Sequence, residues 1–174
     1  MKLLLTINEW DVDSSVDENS AKRSGYKKRE ASRAVLFSPK GEVYLLHVTS
    51  HGYHKLPGGG IDPGEDKKEA LMREIVEEVG YDSVVGEEVG EVVEYRHYFD
   101  NGLEQRSYAY IASQTGDLGA QQLEQGEIEE GHDVVIAKDL KEAVRIIKND
   151  QPDNIEGRSI RLRDLTIFEY AQAL

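Results

Sequence analysis

The spacing of apolar and polar positions changes several times along the chain. A short apolar run, Leu3–Ile7, predicts a first strand. Residues 11–30 are the most polar stretch and end in the basic Lys27-Lys28-Arg29, so a loop or mobile arm is expected there. Ala31–Phe37 and Val43–Val48 are apolar, β-branched runs split by Ser38-Pro39-Lys40-Gly41, which predicts a hairpin. From 66 to 79 the period lengthens. Leu71, Ile75 and Val79 recur every four residues, Asp66 with Glu69 forms a capping box, and Gly80 stands where a left-handed cap closes a helix. Glu87–Phe99 and Leu103–Ser113 predict two strands around Asp100-Asn101-Gly102, because Asn-Gly between strands is a strong hairpin signal. Residues 115–131 are rich in Gly, Gln and Glu and are expected as a surface loop, and His132–Ala137 as a buried strand.

Two helices are expected at the end. Asp139 with Glu142 opens one that runs through Lys148, and Gln151-Pro152-Asp153-Asn154 breaks it. The last, roughly 158–172, places Ile160, Leu165, Phe168 and Ala171 near one face. Strands and helices mix without strict alternation, which predicts an α+β fold with a mixed sheet. The expected organisation is an N-terminal strand and polar arm (1–30), a main domain (31–150), and a C-terminal helix (151–174) packed on that domain.

Composition narrows the function. The chain of 174 residues has 34 acids, 21 bases and a net charge of −13. Such a surface repels phosphate backbones, and there is no basic stripe, so no nucleic-acid partner is expected. An acidic protein that handles phosphates needs a bridging cation. No apolar run reaches membrane-spanning length, and Glu9, Asp11 and Asp13 interrupt the start, so neither a membrane partner nor a signal peptide is expected. There is no Cys, which excludes disulfides, a thiolate zinc site and a cysteine nucleophile, and favours a cytoplasmic setting.

The densest chemistry lies between Leu56 and Gly80. Leu56-Pro57-Gly58-Gly59-Gly60-Ile61-Asp62-Pro63-Gly64-Glu65 is built to turn sharply. On the helix that follows, Glu74, Glu77 and Glu78 share a face within a sector of about 100°. Three carboxylates there repel one another, and a divalent cation removes that cost. Mg²⁺ suits such a place, since it prefers oxygen ligands and binds through carboxylates plus substrate phosphates.

Gly59, five residues, Glu65, seven residues, then Arg73-Glu74-Ile75-Val76-Glu77-Glu78-Val79-Gly80 resembles the box of the Nudix (MutT-like) hydrolase family, with all seven fixed positions present over 59–81. Tyr81 departs from the pattern, where an aliphatic residue is usual. The resemblance implies a Nudix-type α/β/α sandwich with a mixed sheet and a loop–helix–loop catalytic motif, looser over 31–150. It implies hydrolysis of a nucleoside diphosphate linked to another moiety, such as a nucleoside triphosphate or a nucleotide sugar, with Mg²⁺ or Mn²⁺. A non-catalytic nucleotide- or ADP-ribose-sensing domain is the alternative, though such domains usually have damaged boxes.

The family pattern makes Glu74, Glu77 and Glu78 the metal ligands, with the carbonyl of Gly58 as a further one. It gives Arg73 the task of orienting these carboxylates, and Glu65 that of anchoring the loop to the helix. Gly59 and Gly80 are structural. The general base lies in the box or on a later loop. Here that loop offers Glu124, Glu127, Glu129 and Glu130, of which Glu127 is the choice and Glu130 the next. Arg33 resembles the basic residue that relatives aim at a substrate phosphate, and Arg29 can assist. His54 is expected to pack, and His47, His51 and His54 do not have zinc-ligand spacing. Tyr95, His97, Tyr98, Tyr108 and Tyr110 lie on the expected hairpin, where core or dimer packing is favoured over base stacking; a homodimer fits that reading.

Overall fold

The computed structural model describes residues 1–18, 25–97 and 102–174. Leu3–Asn8 forms the first strand, β1, and runs into a single helical turn, α1 (Glu9–Val12). Strand β2 spans Lys27–Phe37, so the basic triplet expected in an arm is strand instead. Its exposed start is held because β2 lies parallel to β6 (Leu103–Thr115) at every position from Lys27↔Leu103 to Phe37↔Ser113. A parallel partner so far along the chain leaves no local signal. The same pairing limits the expected hairpin between β2 and β3 (Val43–Val48). These strands meet only at Phe37↔Val43, and then β3 pairs with β4 (Tyr53–Lys55) and β7 (His132–Ala137).

The box helix, α2, runs Lys67–Val79. Asp66 caps it by accepting from the Lys68 and Glu69 amides at 2.8 and 3.3 Å, and Gly80 closes it in the left-handed conformation. Strand β5 (Asp82–Arg96) begins five residues before the expected start and pairs antiparallel with β6, as the hairpin signal implies. The signal's own Asp100 and Asn101, with Tyr98 and Phe99, lie outside the described residues.

Within the expected loop 115–131 sits a short helix, α3 (Gln125–Glu130), started by the Glu127 side chain accepting from the Glu124 amide at 2.8 Å. Strand β7, which pairs with β3, is buried at its ends, but Ile136 is 53% exposed, so the strand is not buried throughout as expected. Two helices complete the chain, α4 (Leu140–Asn149) and α5 (Ile155–Ala171). Asn154 accepts from the Gly157 amide at 2.7 Å, so α5 starts three residues before the expected point.

The strand order is β1-β5-β6-β2-β3-β4, with β7 beside β3. Both faces are covered, so β2 and β3 alternate between two cores rather than between core and water. Ala34, Leu36, Tyr44 and Leu46 pack with Leu71, Ile75 and Val79 of α2, and Tyr108 and Tyr110 belong to this layer. Val35, Val43 and Leu45 pack on the other face with Ala143 and Ile147 of α4 and with Ile167, Phe168 and Ala171 of α5. Tyr81 joins the α2 layer, its ring 5.7 Å from that of Tyr44. The result is an α/β/α sandwich on a mixed sheet.

Phe168 is fully buried in the α5 layer. Phe168→Ala is expected to lower the unfolding free energy by about 3–5 kcal/mol in urea denaturation. A loss under about 1 kcal/mol would mean that α5 is not part of the core.

Candidate active site

The loop after β4 is tied down on two sides. The Ser32 and Ala34 amides of β2 donate to the Gly59 and Pro57 carbonyls at 3.0 and 2.9 Å. From α2, the buried Glu78 carboxylate reaches up and accepts from the Gly58 amide at 2.6 Å. Gly58 has φ +123°, a conformation that L side chains resist, and a Cβ there would collide with the Ser32 carbonyl. A Cβ on Gly59 would fall inside the Glu74 carboxylate. The glycines let backbone and carboxylates approach closely.

Arg73 joins the loop to the helix. Its Nε donates to Glu65 at 3.0 Å, Nη1 to Glu74 and Glu77 at 2.9 and 3.1 Å, and Nη2 to Glu65 and the Gly60 carbonyl, both at 3.0 Å. Glu65 in turn accepts from the Asp62 amide at 3.0 Å. Hydrogen bonding to Glu65 raises the Arg73 pKa further above its ordinary value, and Arg73 holds Glu65 below its own. Arginine's planar fork suits this task, because one guanidinium meets several acceptors in fixed directions.

The three box glutamates differ in surroundings. Glu77 is about a third exposed, and its carboxylate accepts from Arg73. Glu74 is more enclosed, and burial lifts its pKa despite Arg73. Glu78 is 1% exposed. Burial lifts it to about 7, against the opposing pull of Lys55, whose Nζ lies 3.3 Å from Oε1, and of the Gly58 amide.

Across from Glu78 stands Glu127 of α3. The carboxylates of Glu78 and Glu127 and a ring nitrogen of His132 lie within 4.8 Å of one another. Glu130 lies 3.0 Å from the His132 Nε2, while Nδ1 finds no hydrogen-bond partner among the described residues. Burial and Lys55 lower the His132 pKa, so at neutral pH the ring is uncharged and can offer a lone pair. Two carboxylates and an imidazole nitrogen converging on one point fit a divalent cation.

Of the four candidate bases, Glu124, Glu127 and Glu130 line the cleft that opens here, about 1100 Å³ in volume, whereas Glu129 accepts from Gln125 at 2.8 Å. Arg33 and Arg29 line the same cleft. Arg29 is exposed and donates to Gln105 at 2.7 Å, and Arg33 is buried. The His54 ring stacks on His47 at 4.4 Å and its Nδ1 lies 2.9 Å from Asp150, while His51 meets Asp153 at 3.0 Å. Tyr95 lies near Tyr26, and His97 stacks on Trp10 at 5.5 Å.

Sequence reasoning missed Lys55, His132 and the polar group made by Glu94, Arg96, Arg163 and Asp164. One signal for the last existed. Arg163 stands three residues after Ile160 and four before Ile167, on the buried stripe of α5. A charge in that position is directed inward.

The family description "NUDIX domain" matches residues 27–152. Over 57 residues the chain is 40% identical to the RNA pyrophosphohydrolase of Wolbachia sp. subsp. Brugia malayi (strain TRS), covering 32% of this chain and 35% of the relative. Over 97 residues it is 33% identical to diphosphoinositol polyphosphate phosphohydrolase 2 of Mus musculus, covering 53% of this chain and 49% of the relative. The chain thus spans about a third to a half of the length of these curated relatives. The solution structure of the E. coli ORF135 protein superposes with a TM-score of 0.60 at 22% identity, covering 88% of this chain and 95% of that one. With the box glutamates gathered around the loop and more than half of the chain matched, the chain belongs to the NUDIX domain family.

Proposed function

We propose that the chain is a pyrophosphohydrolase dependent on a divalent cation. It cleaves a phosphoanhydride bond in a nucleoside diphosphate linked to another moiety, such as a nucleoside triphosphate or a nucleotide sugar. The observation that carries this reading is the fully buried Glu78 carboxylate facing Glu127 in a cleft that also exposes arginines. The relatives' names point the same way, since each denotes hydrolysis of a phosphate chain. The proposed setting is cytoplasmic, in keeping with a chain that has no Cys.

Gly58, Glu74, Glu77 and Glu78 would hold Mg²⁺, or Mn²⁺, with Glu127 and His132 beside them. A bound cation would neutralise the charged phosphate oxygens of the diphosphate and the charge that builds on the leaving group. The chain's own residues do the rest. Gly58 and Lys55 fix Glu78 by its two oxygens, and Arg73 sets Glu74 and Glu77. Glu127 takes a proton from water as the water oxygen bonds to phosphorus and the bridging P–O bond breaks toward the leaving phosphate. The Glu124 amide holds one Glu127 oxygen, which leaves the other directed toward Glu78 and His132. Arg33 and Arg29 draw the substrate phosphates into the cleft.

A nucleotide panel with Mg²⁺ tests the reading: turnover supports it, and saturable binding without turnover supports a sensing domain instead. Glu78→Gln is expected to lower kcat at least about a hundredfold, because it removes a ligand charge where transition-state charge is stabilised. Near-normal kcat at saturating Mg²⁺ would remove Glu78 from the metal site.

Glu127→Gln is expected to lower kcat with little change in KM, and to do so more than Glu130→Gln. Loss confined to Glu130→Gln would shift the base three residues along α3, and wild-type kcat in both variants would take the base off this helix.

The raised Glu78 pKa gives a third test. The folded chain binds this proton more tightly than the unfolded chain, so the stabilisation is full below about 4.5 and is lost as pH rises to about 7. Glu78→Gln cannot ionise. In EDTA, its stability relative to the wild type should therefore rise between pH 4.5 and pH 8, by up to about 3 kcal/mol. Urea denaturation at both ends checks this, and an unchanged difference would mean an ordinary Glu78 pKa.

A further inference from the structure

A second chemistry lies opposite the carboxylates. The β2, β5 and β6 side chains that face α5 carry a polar row where the rest of that face is apolar. Arg29 donates to Gln105 at 2.7 Å, and Gln105 donates to the fully buried Glu94 at 3.1 Å. The other Glu94 oxygen accepts from Arg96 at 2.9 Å, and Arg96 also meets Glu156 at 2.5 Å. These groups bond to one another. Two further arginines stand at the same place.

Arg163 is 1% exposed. Its Nε donates to Asp164 at 2.7 Å, and the other Asp164 oxygen accepts from the Leu56 amide at 2.8 Å, so the guanidinium is fixed relative to the glycine loop. Its two outer nitrogens are buried and have no hydrogen-bond partner among the described residues. Nη1 comes only to 3.5 Å from Glu94, whose oxygens are already engaged. Arg33 is also buried, and its Nε has no partner among the described residues. Burial, reinforced by the charge of Arg163, brings the Arg33 pKa down to about 10, while Glu78 and Asp164 oppose the shift. Both side chains line the cleft.

Buried donors are nearly always paired, and a group left unpaired is a mark of a site that a ligand completes. A guanidinium fork with both outer nitrogens free matches a phosphate in two-point geometry. We infer that Arg33 and Arg163 form an anion subsite that takes a further phosphate of the substrate, beyond the diphosphate at the carboxylates. Arg33, Arg163 and Glu78 line the same cleft, so a phosphate chain lying in it can meet both regions. The substrate class this selects has three or more phosphates in a row, rather than two phosphates flanked by neutral sugars. That substrate assignment rests on the hydrolase reading; the anion subsite itself does not.

The experiment separates the two. In EDTA, inorganic phosphate is titrated into the protein by calorimetry, with NaCl held at constant ionic strength. Wild type should bind saturably. Arg163→Gln and Arg33→Gln should weaken binding at least tenfold, and Arg163→Lys, which keeps charge but loses the fork, should fall between. The lysine variant also guards against misfolding of the glutamine one, with circular dichroism as the check. With Mg²⁺, Arg163→Lys should raise KM for a nucleoside triphosphate at least fivefold while changing KM for ADP-ribose less than twofold. Phosphate binding that is absent in the wild type, or equal in wild type and variants, overturns the subsite. Equal KM effects on both nucleotides overturn the substrate class. Phosphate binding lost in the variants, without turnover of any nucleotide by the wild type, supports the subsite and overturns the hydrolase reading.

Discussion

The site depends on one guanidinium. Glu65, Glu74 and Glu77 stand close together in a chain whose net charge is already −13, and Arg73 hydrogen-bonds to all three as well as to the Gly60 carbonyl. Without that fork, like charges would push the loop off the helix and Glu74 out of the space that Gly59 leaves for it. With it, the loop lies flat enough for the Gly58 amide to reach Glu78. Lysine offers one point charge where five contacts in fixed directions are needed. The fold brings the pieces near one another, and Arg73 sets their distances.

Charges of both signs share the cleft. Carboxylates from α2 and α3 line it together with arginines from β2, β5 and α5. Two buried carboxylates, Glu78 in the cleft and Glu94 beside it, are tuned in opposite directions by how their charges are matched. Burial raises Glu78, and Lys55, the Gly58 amide and Arg33 only partly offset it. Burial also pushes Glu94 upward, but Arg96 and Arg163 outweigh it and hold Glu94 down at about 2. Glu94 is therefore a fixed anion at any working pH and keeps the arginines in place. Glu78, by contrast, is held upward by burial.

What was legible in the sequence was local. The box helix announced itself through Asp66, Gly80 and the Leu71-Ile75-Val79 stripe, all within one element. The β5–β6 pairing followed from a turn. The glutamate face of α2 was read from spacing alone. Pairings between distant segments were not legible: β2 with β6, and β1 with β5, are parallel and have no turn to signal them. Strand β4 has three residues, too few to show a period. Lys55 and His132 looked like ordinary polar residues because what matters about each is its closeness to Glu78, more than twenty residues away in the chain and near only after folding. Arg163 could have been read from its place on an apolar stripe, yet its free nitrogens could not, since they depend on Glu94 being engaged elsewhere.

Helix α5 lies beyond the region matched to the family, which ends at residue 152. Yet it holds the family's loop in place, because Asp164 accepts the Leu56 amide and Phe168 fills the core beneath. The same two turns of helix thus carry apolar packing, a loop anchor and the Arg163 fork. Packing on one side fixes the helix axis, and Asp164 beside it holds the Arg163 guanidinium through Nε. In the proposed hydrolase the shared box would supply carboxylates that treat every phosphoanhydride alike. The rest of the cleft is lined by other elements, and α5 and β2 both line it while being hydrogen-bonded to the loop itself.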